Sequence, residues 1–183
     1  MNQDIFLLIN SLANQNHILD IFMIFSAKAM PYIFILLEVY IYFIAKKKNE
    51  AIFAFYSVVV SLGLNFIISL FYFHNRPFMD NLGVMLIHHL PDNSFPSDHT
   101  SFLFAITFSL IFSKIKYSYV LLFFAFLGGI ARIYVGVHYP FDIFGGVFSG
   151  LFGAIMVYLL KNKLLKFNTL IFKIESRIFK GKR

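Results

Sequence analysis

An apolar stretch from Ala51 to Phe73 sets the firmest limit on how this chain can fold. Its 23 residues carry no charge and are interrupted mainly by small polar groups, Ser57, Ser61, Asn65 and Ser69. In an α-helix they span roughly 34 Å, which is enough to cross a hydrocarbon core of about 30 Å. The stretch therefore predicts a membrane-spanning helix.

Four further segments have the same apolar character. They lie at roughly Ala29 to Ala45, His99 to Ser113, Tyr117 to Ala131 and Phe141 to Leu160. With 59% hydrophobic residues and 26 Phe among 183 residues, the composition is typical of an integral membrane protein. We predict an all-α membrane bundle of about five transmembrane helices, forming a single domain over residues 1–183.

The two ends of the chain have a different character. Residues 1–27 mix apolar groups with Asn, His and Asp, so we expect interfacial N-terminal helices there. A cleavable signal peptide is not expected, because the chain opens with Asn2, Gln3 and Asp4 instead of a basic region. Residues 161–183 carry eight Lys and Arg against one acid, which predicts a basic amphipathic tail on the cytoplasmic leaflet.

The net charge of +7 indicates membrane topology and not a nucleic-acid partner. Of 16 Lys and Arg, 13 fall at residues 46–48, at residues 114 and 116, and in the tail. Placing all three clusters in the cytoplasm satisfies the positive-inside rule. The loop from His74 to Asp98 and the segment from Arg132 to Tyr139 then share the outer face. The chain has no Cys, so neither a disulfide nor a thiolate metal site can form.

The segment before the last apolar stretch holds three ionisable groups, Arg132, His138 and Asp142. Charged groups at membrane depth are costly, which favours a functional interpretation. If a helix starts at Pro140, the Asp142 carboxylate can hold one nitrogen of His138 and leave the other as nucleophile or base. Arg132 offers a planar set of donors that suits phosphate oxygens.

A second polar group, Ser97, Asp98 and His99, lies where the outer loop enters a helix. Ser97 is a favourable N-cap, and the free N–H groups of a helix start form an anion site. A phosphate bound there would meet Arg76 and Arg132 from the other segments. His99 and His138 then have complementary tasks, because one can attack phosphorus while the other protonates the leaving oxygen.

Together these residues resemble the three-part signature of the type 2 phosphatidic acid phosphatase superfamily of membrane lipid phosphatases. The matching pieces are Arg76-Pro77, Pro96-Ser97-Asp98-His99, and Arg132 with His138 and Asp142. Their order, internal spacing and membrane context all agree over residues 69–142.

The resemblance implies a metal-independent phosphatase without a cofactor. In that family His138 would attack phosphorus to form a phosphohistidine, Asp142 would orient it, and His99 would protonate the leaving group. The phosphate-binding positions would be Arg76, Ser97, Asp98 and Arg132.

Three positions depart from the family pattern. Ser69 stands where the family has Lys, Asp98 where it has Gly, and Ala131 where it has Ser. The absent Lys removes one phosphate cation, for which His74 and Lys28 are conceivable substitutes.

The amino-acid sequence around the second and third motifs is most similar to that of the bacitracin-resistance type of bacterial undecaprenyl-diphosphate phosphatase. This resemblance implies hydrolysis of undecaprenyl diphosphate to undecaprenyl phosphate and inorganic phosphate. The expected place is the outer leaflet of the bacterial cytoplasmic membrane, where the reaction recycles the carrier lipid for cell-wall synthesis. The expected partners are the prenyl diphosphate and membrane lipids, and the sequence predicts no particular oligomeric state.

Other interpretations of the same residues stay open. The motifs leave the lipid unspecified, so phosphatidylglycerophosphate or a phosphatidate is an alternative substrate. A non-catalytic binder or transporter of phosphorylated lipids or anions is favoured by Ser69 and disfavoured by the paired imidazoles. His88, His89 and Asp92 suggest zinc only weakly, because adjacent side chains rarely aim at one ion and a wet loop accommodates histidines without function.

Overall fold

The computed structural model describes residues 1–116 and 118–180, and every regular element within them is a helix. The helices are α1 (Asn2–Asn10), α2 (His17–Val39), α3 (Lys48–Phe71), α4 (Asp98–Phe112), α5 (Ser118–Tyr134) and α6 (Pro140–Lys180). A π-helical turn, Tyr40–Ile44, continues α2, and a short 3-10 turn, Pro77–Asp80, follows α3. The predicted all-α architecture is confirmed.

Three helical segments are long and apolar enough to cross a membrane: His17–Ile44, Lys48–Phe71 and Pro140–Ile174. Helices α4 and α5 are shorter apolar helices of 15 and 17 residues. Large apolar side chains cover the outside of the bundle, among them Phe55, Phe66, Phe71, Phe123 and Phe148. An apolar surface of this extent suits lipid and not water, in agreement with the predicted membrane bundle.

The first spanning helix begins at His17, whereas the sequence predicted a start near Ala29. Asn16 caps the helix, because its side-chain oxygen accepts hydrogen bonds from two backbone N–H groups of the first turn at 3.0 and 3.1 Å. Asp20 is buried and accepts a hydrogen bond of 2.7 Å from the hydroxyl of Tyr134. Two of the polar residues that argued against a span, Asn16 and Asp20, therefore have hydrogen-bond partners, and the helix that starts at His17 is long and apolar enough to cross a membrane. The interfacial placement of residues 1–27 stays a prediction.

Helix α1 is anchored to the bundle instead of lying apart on the membrane surface. Phe6 is fully buried, and its ring packs edge-on against Tyr139 at a centroid distance of 5.3 Å. The buried Asn10 amide donates to the carbonyls of Val84 and Tyr134, both at 2.8 Å, and accepts from the Val84 N–H. These contacts hold α1 against the long loop and the end of α5.

Glycines on α6 allow this helix to approach α4 closely. A Cβ atom at Gly146 would lie 2.8 Å from the carbonyl oxygen of Ser97, and one at Gly150 would lie 2.7 Å from the backbone nitrogen of Ala105. Real Cβ atoms do not come so close to backbone, so the contact between the two helices requires glycine at these positions. The close approach places the first turn of α6 beside the first turn of α4.

Helix α6 continues past Leu160, where the sequence predicted the last span to give way to a separate tail. Asn168 is fully buried, accepts a hydrogen bond from the Tyr56 hydroxyl at 3.0 Å and donates one to Asn49 at 2.9 Å. The start of the predicted tail therefore packs on the start of α3. Residues 181–183 lie outside the described part of the chain.

Glu38 turns its carboxyl group towards the bundle interior. Within the described residues its two carboxyl oxygens are buried and have no hydrogen-bond partner. They lie beside an apolar cavity of about 680 Å³ between α2, α3 and α4. The rest of the core between these helices and α5 is apolar, with Phe34, Leu103 and Phe104 fully buried.

Candidate active site

Four chain segments meet at one end of the bundle and carry the predicted site residues. Arg76 stands just before the 3-10 turn, Ser97 is the N-cap of α4, and Arg132 lies in the last turn of α5. His138 lies in the connection between α5 and α6, and Asp142 lies in the first turn of α6. The N–H of Ser97 donates to the carbonyl of Asp142 at 3.0 Å, which joins the starts of α4 and α6 directly.

A tight turn between α5 and α6 brings His138 into the site. Gly136 has a φ of +82°, and a Cβ atom there would lie 2.2 Å from the carbonyl oxygen of Val84. Both the left-handed backbone and the close approach require glycine at this position. The N–H of Val137 returns to the carbonyl of Arg132 at 3.2 Å, so the turn fixes Arg132 and His138 relative to one another.

The buried His138 is held in one tautomer by its neighbours. Nη1 of Arg76, which can only donate, lies 3.0 Å from Nε2 and 3.4 Å from Nδ1 of His138; because the Ser94 hydroxyl already donates to Asp142, Nδ1 must be the donor towards Ser94, and Nε2 is the accepting nitrogen. Nδ1 then carries the proton and faces the hydroxyl oxygen of Ser94 at 3.2 Å and Oδ2 of Asp142 at 3.4 Å. The tautomer leaves a lone pair on Nε2, which a nucleophilic imidazole needs.

Asp142 is fully buried and is fixed by three donors besides His138. Its Oδ2 accepts a short hydrogen bond from the Ser94 hydroxyl and one of 2.7 Å from the Tyr139 N–H. Its Oδ1 lies 3.0 Å from Nδ1 of His74. The carboxylate therefore cannot turn away from the His138 ring.

The pKa of His138 is lowered to about 3, mainly by burial and in addition by the positive charges of Arg132 and Arg76, while the hydrogen bond and charge of Asp142 oppose these effects. The ring is consequently neutral at physiological pH. A neutral imidazole with Nε2 unprotonated is the form that can attack phosphorus.

Arg76 is buried and fully engaged. Nε donates to Oδ1 of Asp92 at 2.7 Å, Nη1 donates to the Val137 carbonyl at 2.8 Å, and Nη2 donates to the Asn93 carbonyl at 3.1 Å. The guanidinium is therefore held over His138 by both the long loop and the α5–α6 connection.

Arg132 contrasts with Arg76. Its side chain is only 3% exposed, and in the described part of the chain its Nε and Nη2 atoms are buried with no hydrogen-bond partner. An unpaired guanidinium is costly inside a protein, so such donors mark a place where an anion binds. Their planar arrangement suits two oxygens of one phosphate.

The start of α4 supplies the second predicted motif. The Ser97 oxygen accepts from the N–H and the hydroxyl of Thr100, which leaves its own O–H free to donate. His99 is partly exposed and lies within electrostatic range of both arginines of the site. Asp98 accepts a hydrogen bond of 2.7 Å from Asn65, so its side chain joins α4 to α3, and a carboxylate in any case has no proton to offer a phosphate.

The two conceivable substitutes for the absent Lys lie in different surroundings. His74 contacts Asp142, and Lys28 is exposed on α2 among apolar side chains. The hydroxyl of Ser69 donates back to the carbonyl of Phe66 in its own helix at 2.8 Å.

Two residues at this place, Ser94 and His89, were not predicted to belong to the phosphate site. Ser94 is fully buried between Asp142 and His138, and His89 turns its ring towards that of His138 at a centroid distance of 6.4 Å. Both belong to the loop, where a serine and a histidine carry no pattern that sets them apart. The adjacent His88 is exposed, so the two neighbouring imidazoles occupy different surroundings.

This arrangement defines a class of protein. A bundle of apolar helices holds, at one end, a neutral histidine clamped by a carboxylate and a buried arginine with unused donors. These are the parts of a membrane-embedded phosphoryl-transfer site.

Comparisons with known proteins agree with this class. The family model of the PAP2 superfamily matches residues 50–166. The chain is 32% identical to undecaprenyl-diphosphatase BcrC of Bacillus subtilis over 97% of this chain and 93% of that protein. It is 33% identical to the bacitracin transport permease protein BcrC of Bacillus licheniformis over 100% of this chain and 93% of that protein.

A solved structure shows the same fold. The crystal structure of Aquifex aeolicus LpxE matches with a TM-score of 0.71 and 28% identity, covering 85% of this chain and 93% of that one. The chain belongs to the PAP2 superfamily, and the predicted enzyme class, a membrane lipid phosphatase, follows from that membership.

Proposed function

We propose that the chain hydrolyses undecaprenyl diphosphate to undecaprenyl phosphate and inorganic phosphate on the outer leaflet of the bacterial cytoplasmic membrane. The observation that carries this proposal is the buried Arg132, whose donors Nε and Nη2 have no partner in the described part of the chain and whose charge acts on a neutral His138. The name of a relative that matches nearly the whole chain, an undecaprenyl-diphosphatase, supports a prenyl diphosphate as the substrate.

The first step forms a covalent intermediate. The Nε2 lone pair of His138 attacks the terminal phosphorus, which requires Arg76 to move its Nη1 hydrogen bond from the ring to a phosphate oxygen. The bond from phosphorus to the bridging oxygen breaks, and that oxygen leaves with undecaprenyl phosphate. His99, whose protonated form is favoured by the negative charge of the bound diphosphate, donates its proton to the leaving oxygen, and Asp142 stabilises the charge that develops on the His138 ring.

The second step returns the enzyme to its starting state. His99, now neutral, takes a proton from a water molecule as that water attacks phosphorus. The bond from phosphorus to Nε2 breaks, and inorganic phosphate leaves. Through both steps the donors of Arg132, Arg76 and Ser97 would hold the equatorial oxygens, where charge accumulates.

Phosphate release by purified protein in detergent tests this proposal. Undecaprenyl diphosphate, phosphatidate and phosphatidylglycerophosphate are compared for the wild type, His138→Ala and the exposed control His88→Ala. We expect release mainly from the prenyl diphosphate, lost in the His138 variant and retained in the control. Since the proposed chemistry uses no metal, a chelator should leave the rate unchanged. Preferential release from a glycerophospholipid would contradict the proposed substrate. Turnover by His138→Ala would contradict the assignment of His138 as the nucleophile.

A further inference from the structure

His89 is a site-facing group that the proposed mechanism does not use. It lies in the loop between α3 and α4, its side chain is only 21% exposed, and its ring meets that of His138 edge-on at 6.4 Å. It is also within electrostatic range of Arg76, Arg132 and His99. Its neighbour His88 is exposed.

The surroundings of His89 determine which nitrogen faces a ligand. Nδ1 lies 3.1 Å from the carbonyl oxygen of Leu90 and 3.6 Å from Oδ1 of Asp92, so Nδ1 carries the proton and donates to the carbonyl. Nε2 is then the nitrogen free to contact a ligand. Asp92 also accepts from Nε of Arg76, which ties the position of this loop to the guanidinium above His138.

The charge of His89 depends on what occupies the site. Burial lowers its pKa, and the positive charges of Arg76 and Arg132 lower it further, while the Leu90 carbonyl and Asp92 oppose both effects. A bound phosphate would neutralise the field of the two arginines and favour protonation of the ring. Nε2 would then become a charged donor at the moment when an anion arrives.

The contact between the two rings places His89 next to the phosphate under attack. Because the rings meet edge-on at a centroid distance of 6.4 Å, a phosphoryl group bound to His138 would lie beside the His89 ring, and His89 can reach the group that follows it. Arg132, Ser97 and the start of α4 already provide donors for the phosphate under attack. In a diphosphate the next group is a second phosphate, whereas in a monophosphate ester it is a carbon chain, which offers a charged imidazole nothing to bind.

We propose that His89 binds the second, lipid-linked phosphate of a diphosphate substrate and thereby sets a preference for lipid diphosphates over lipid monophosphates. This inference rests on the proposed function and deepens it, because it assigns the leaving phosphate a partner. His89 is thus a specificity-determining residue for the reaction and has no part in the attack itself.

A matched pair of substrates tests the inference. Farnesyl diphosphate and farnesyl monophosphate share one tail and differ by a single phosphate, and both are assayed with the wild type, His89→Gln and His88→Gln. Loss of one charge-assisted hydrogen bond should lower kcat/KM for the diphosphate about 10- to 100-fold in His89→Gln. The monophosphate rate should stay within about twofold, and His88→Gln should resemble the wild type.

Two further variants and a binding measurement separate this role from a structural one. His89→Lys keeps a cationic donor and should restore part of the diphosphate preference, whereas His89→Ala should not. Stabilisation of the protein by methylene diphosphonate, relative to inorganic phosphate, should weaken in His89→Gln even though the analogue is not hydrolysed.

Each outcome bears on one proposal. Equal losses on both substrates, or unchanged binding of the diphosphonate in His89→Gln, would overturn the role of His89. If the wild type hydrolyses none of the lipids but binds the diphosphonate, and His89→Gln loses that binding, the proposed reaction would be overturned and the diphosphate site would be kept.

Discussion

At the scale of single residues, Arg132 shows how a binding site lowers the stability of the protein that contains it. A guanidinium buried to 3% exposure, with Nε and Nη2 lacking partners in the described part of the chain, is unfavourable until an anion arrives. The proposed function explains why the chain retains this residue. Stability and phosphate binding should therefore respond in opposite directions when it is replaced.

Arg132→Met tests this trade-off. Removing an unpaired buried charge while keeping a similar volume should raise the unfolding temperature of the ligand-free protein by several degrees. The same change should abolish stabilisation by inorganic phosphate or vanadate and lower turnover at least about 100-fold. Thermal unfolding in detergent with and without phosphate measures both effects. A lower unfolding temperature without ligand, or phosphate stabilisation that persists, would contradict this account of Arg132.

His138 predicts a pH dependence of stability. Its pKa is lowered to about 3 in the folded protein from an ordinary value of 6.5, so between these limits the unfolded chain binds a proton that the folded chain excludes. The contribution of this residue to the free energy of unfolding is therefore complete above pH 6.5 and is lost as the pH falls from 6.5 towards 3. The free energy of unfolding should decrease by about 1.4 kcal/mol per pH unit in that range.

The comparison of wild type with His138→Gln isolates this effect, because glutamine does not titrate. The difference in stability between the two proteins should be constant between pH 7 and 8 and should shift in favour of the variant from pH 6 to pH 4. A difference that does not change with pH would show that the ring is not held neutral by its surroundings.

The residues of the site were predictable from sequence to different degrees. Arg132, His138 and Asp142 stand close together in an apolar chain, and this contrast alone makes them visible. Ser94 and His89 are brought to the same place by the path of the loop, which local sequence does not encode. The partner of Asp98 could not be predicted either, because its carboxylate accepts a hydrogen bond from Asn65 on another helix, and its predicted place among the phosphate-binding residues stays a prediction.

At the scale of helices, the approach of α6 to α4 is what sets the two halves of the site beside each other. Gly150 lies at this contact, whereas Gly63 on α3 has no atom within 4 Å of the place where a Cβ would stand. Two chemically identical substitutions should therefore have opposite effects.

Gly150→Ala should destabilise the protein by about 1–3 kcal/mol, because the new methyl group meets backbone and cannot be relieved by a side-chain movement. It should also lower turnover, since the first turns of α4 and α6 would separate. Gly63→Ala should be neutral or stabilising by about 0.5–1 kcal/mol through its effect on helix propensity. Thermal unfolding and phosphate release are measured side by side, and equal effects of the two variants would contradict the close packing.

Helix boundaries followed the sequence wherever apolar runs were uninterrupted. Helices α3, α4 and α5 begin and end within a few residues of the predicted positions. The predicted start of the first span, near Ala29, was wrong because polar residues of α2 find partners that are far away in sequence, such as Asp20 with Tyr134. A hydropathy scale assigns a polar residue the same unfavourable value whether or not the folded protein provides it with a hydrogen-bond partner.

At the scale of the whole molecule, the charges divide between the two ends of the bundle. The site and the loop above it lie at one end, where α2 and α4 begin and α3 and α5 finish. The basic turns at residues 46–48 and at residues 114 and 116 lie at the other end. The bundle thus carries the buried arginines of the site at one end and the basic turns at the other, and the proposed function requires the site end to face outwards.

Labelling of single introduced cysteines tests this orientation, because the parent chain contains none. Gln15, between α1 and α2, is exposed at the site end, and it is preferable to Asn14, whose φ of +63° would strain a cysteine. Lys47 is exposed at the opposite end. A membrane-impermeant maleimide added to intact cells should label Gln15→Cys and should label Lys47→Cys only after permeabilisation. The reverse pattern would place the site at the cytoplasmic face, where the substrate would have to be a lipid phosphate of the inner leaflet. That result would contradict the proposed recycling of the carrier lipid on the outer leaflet.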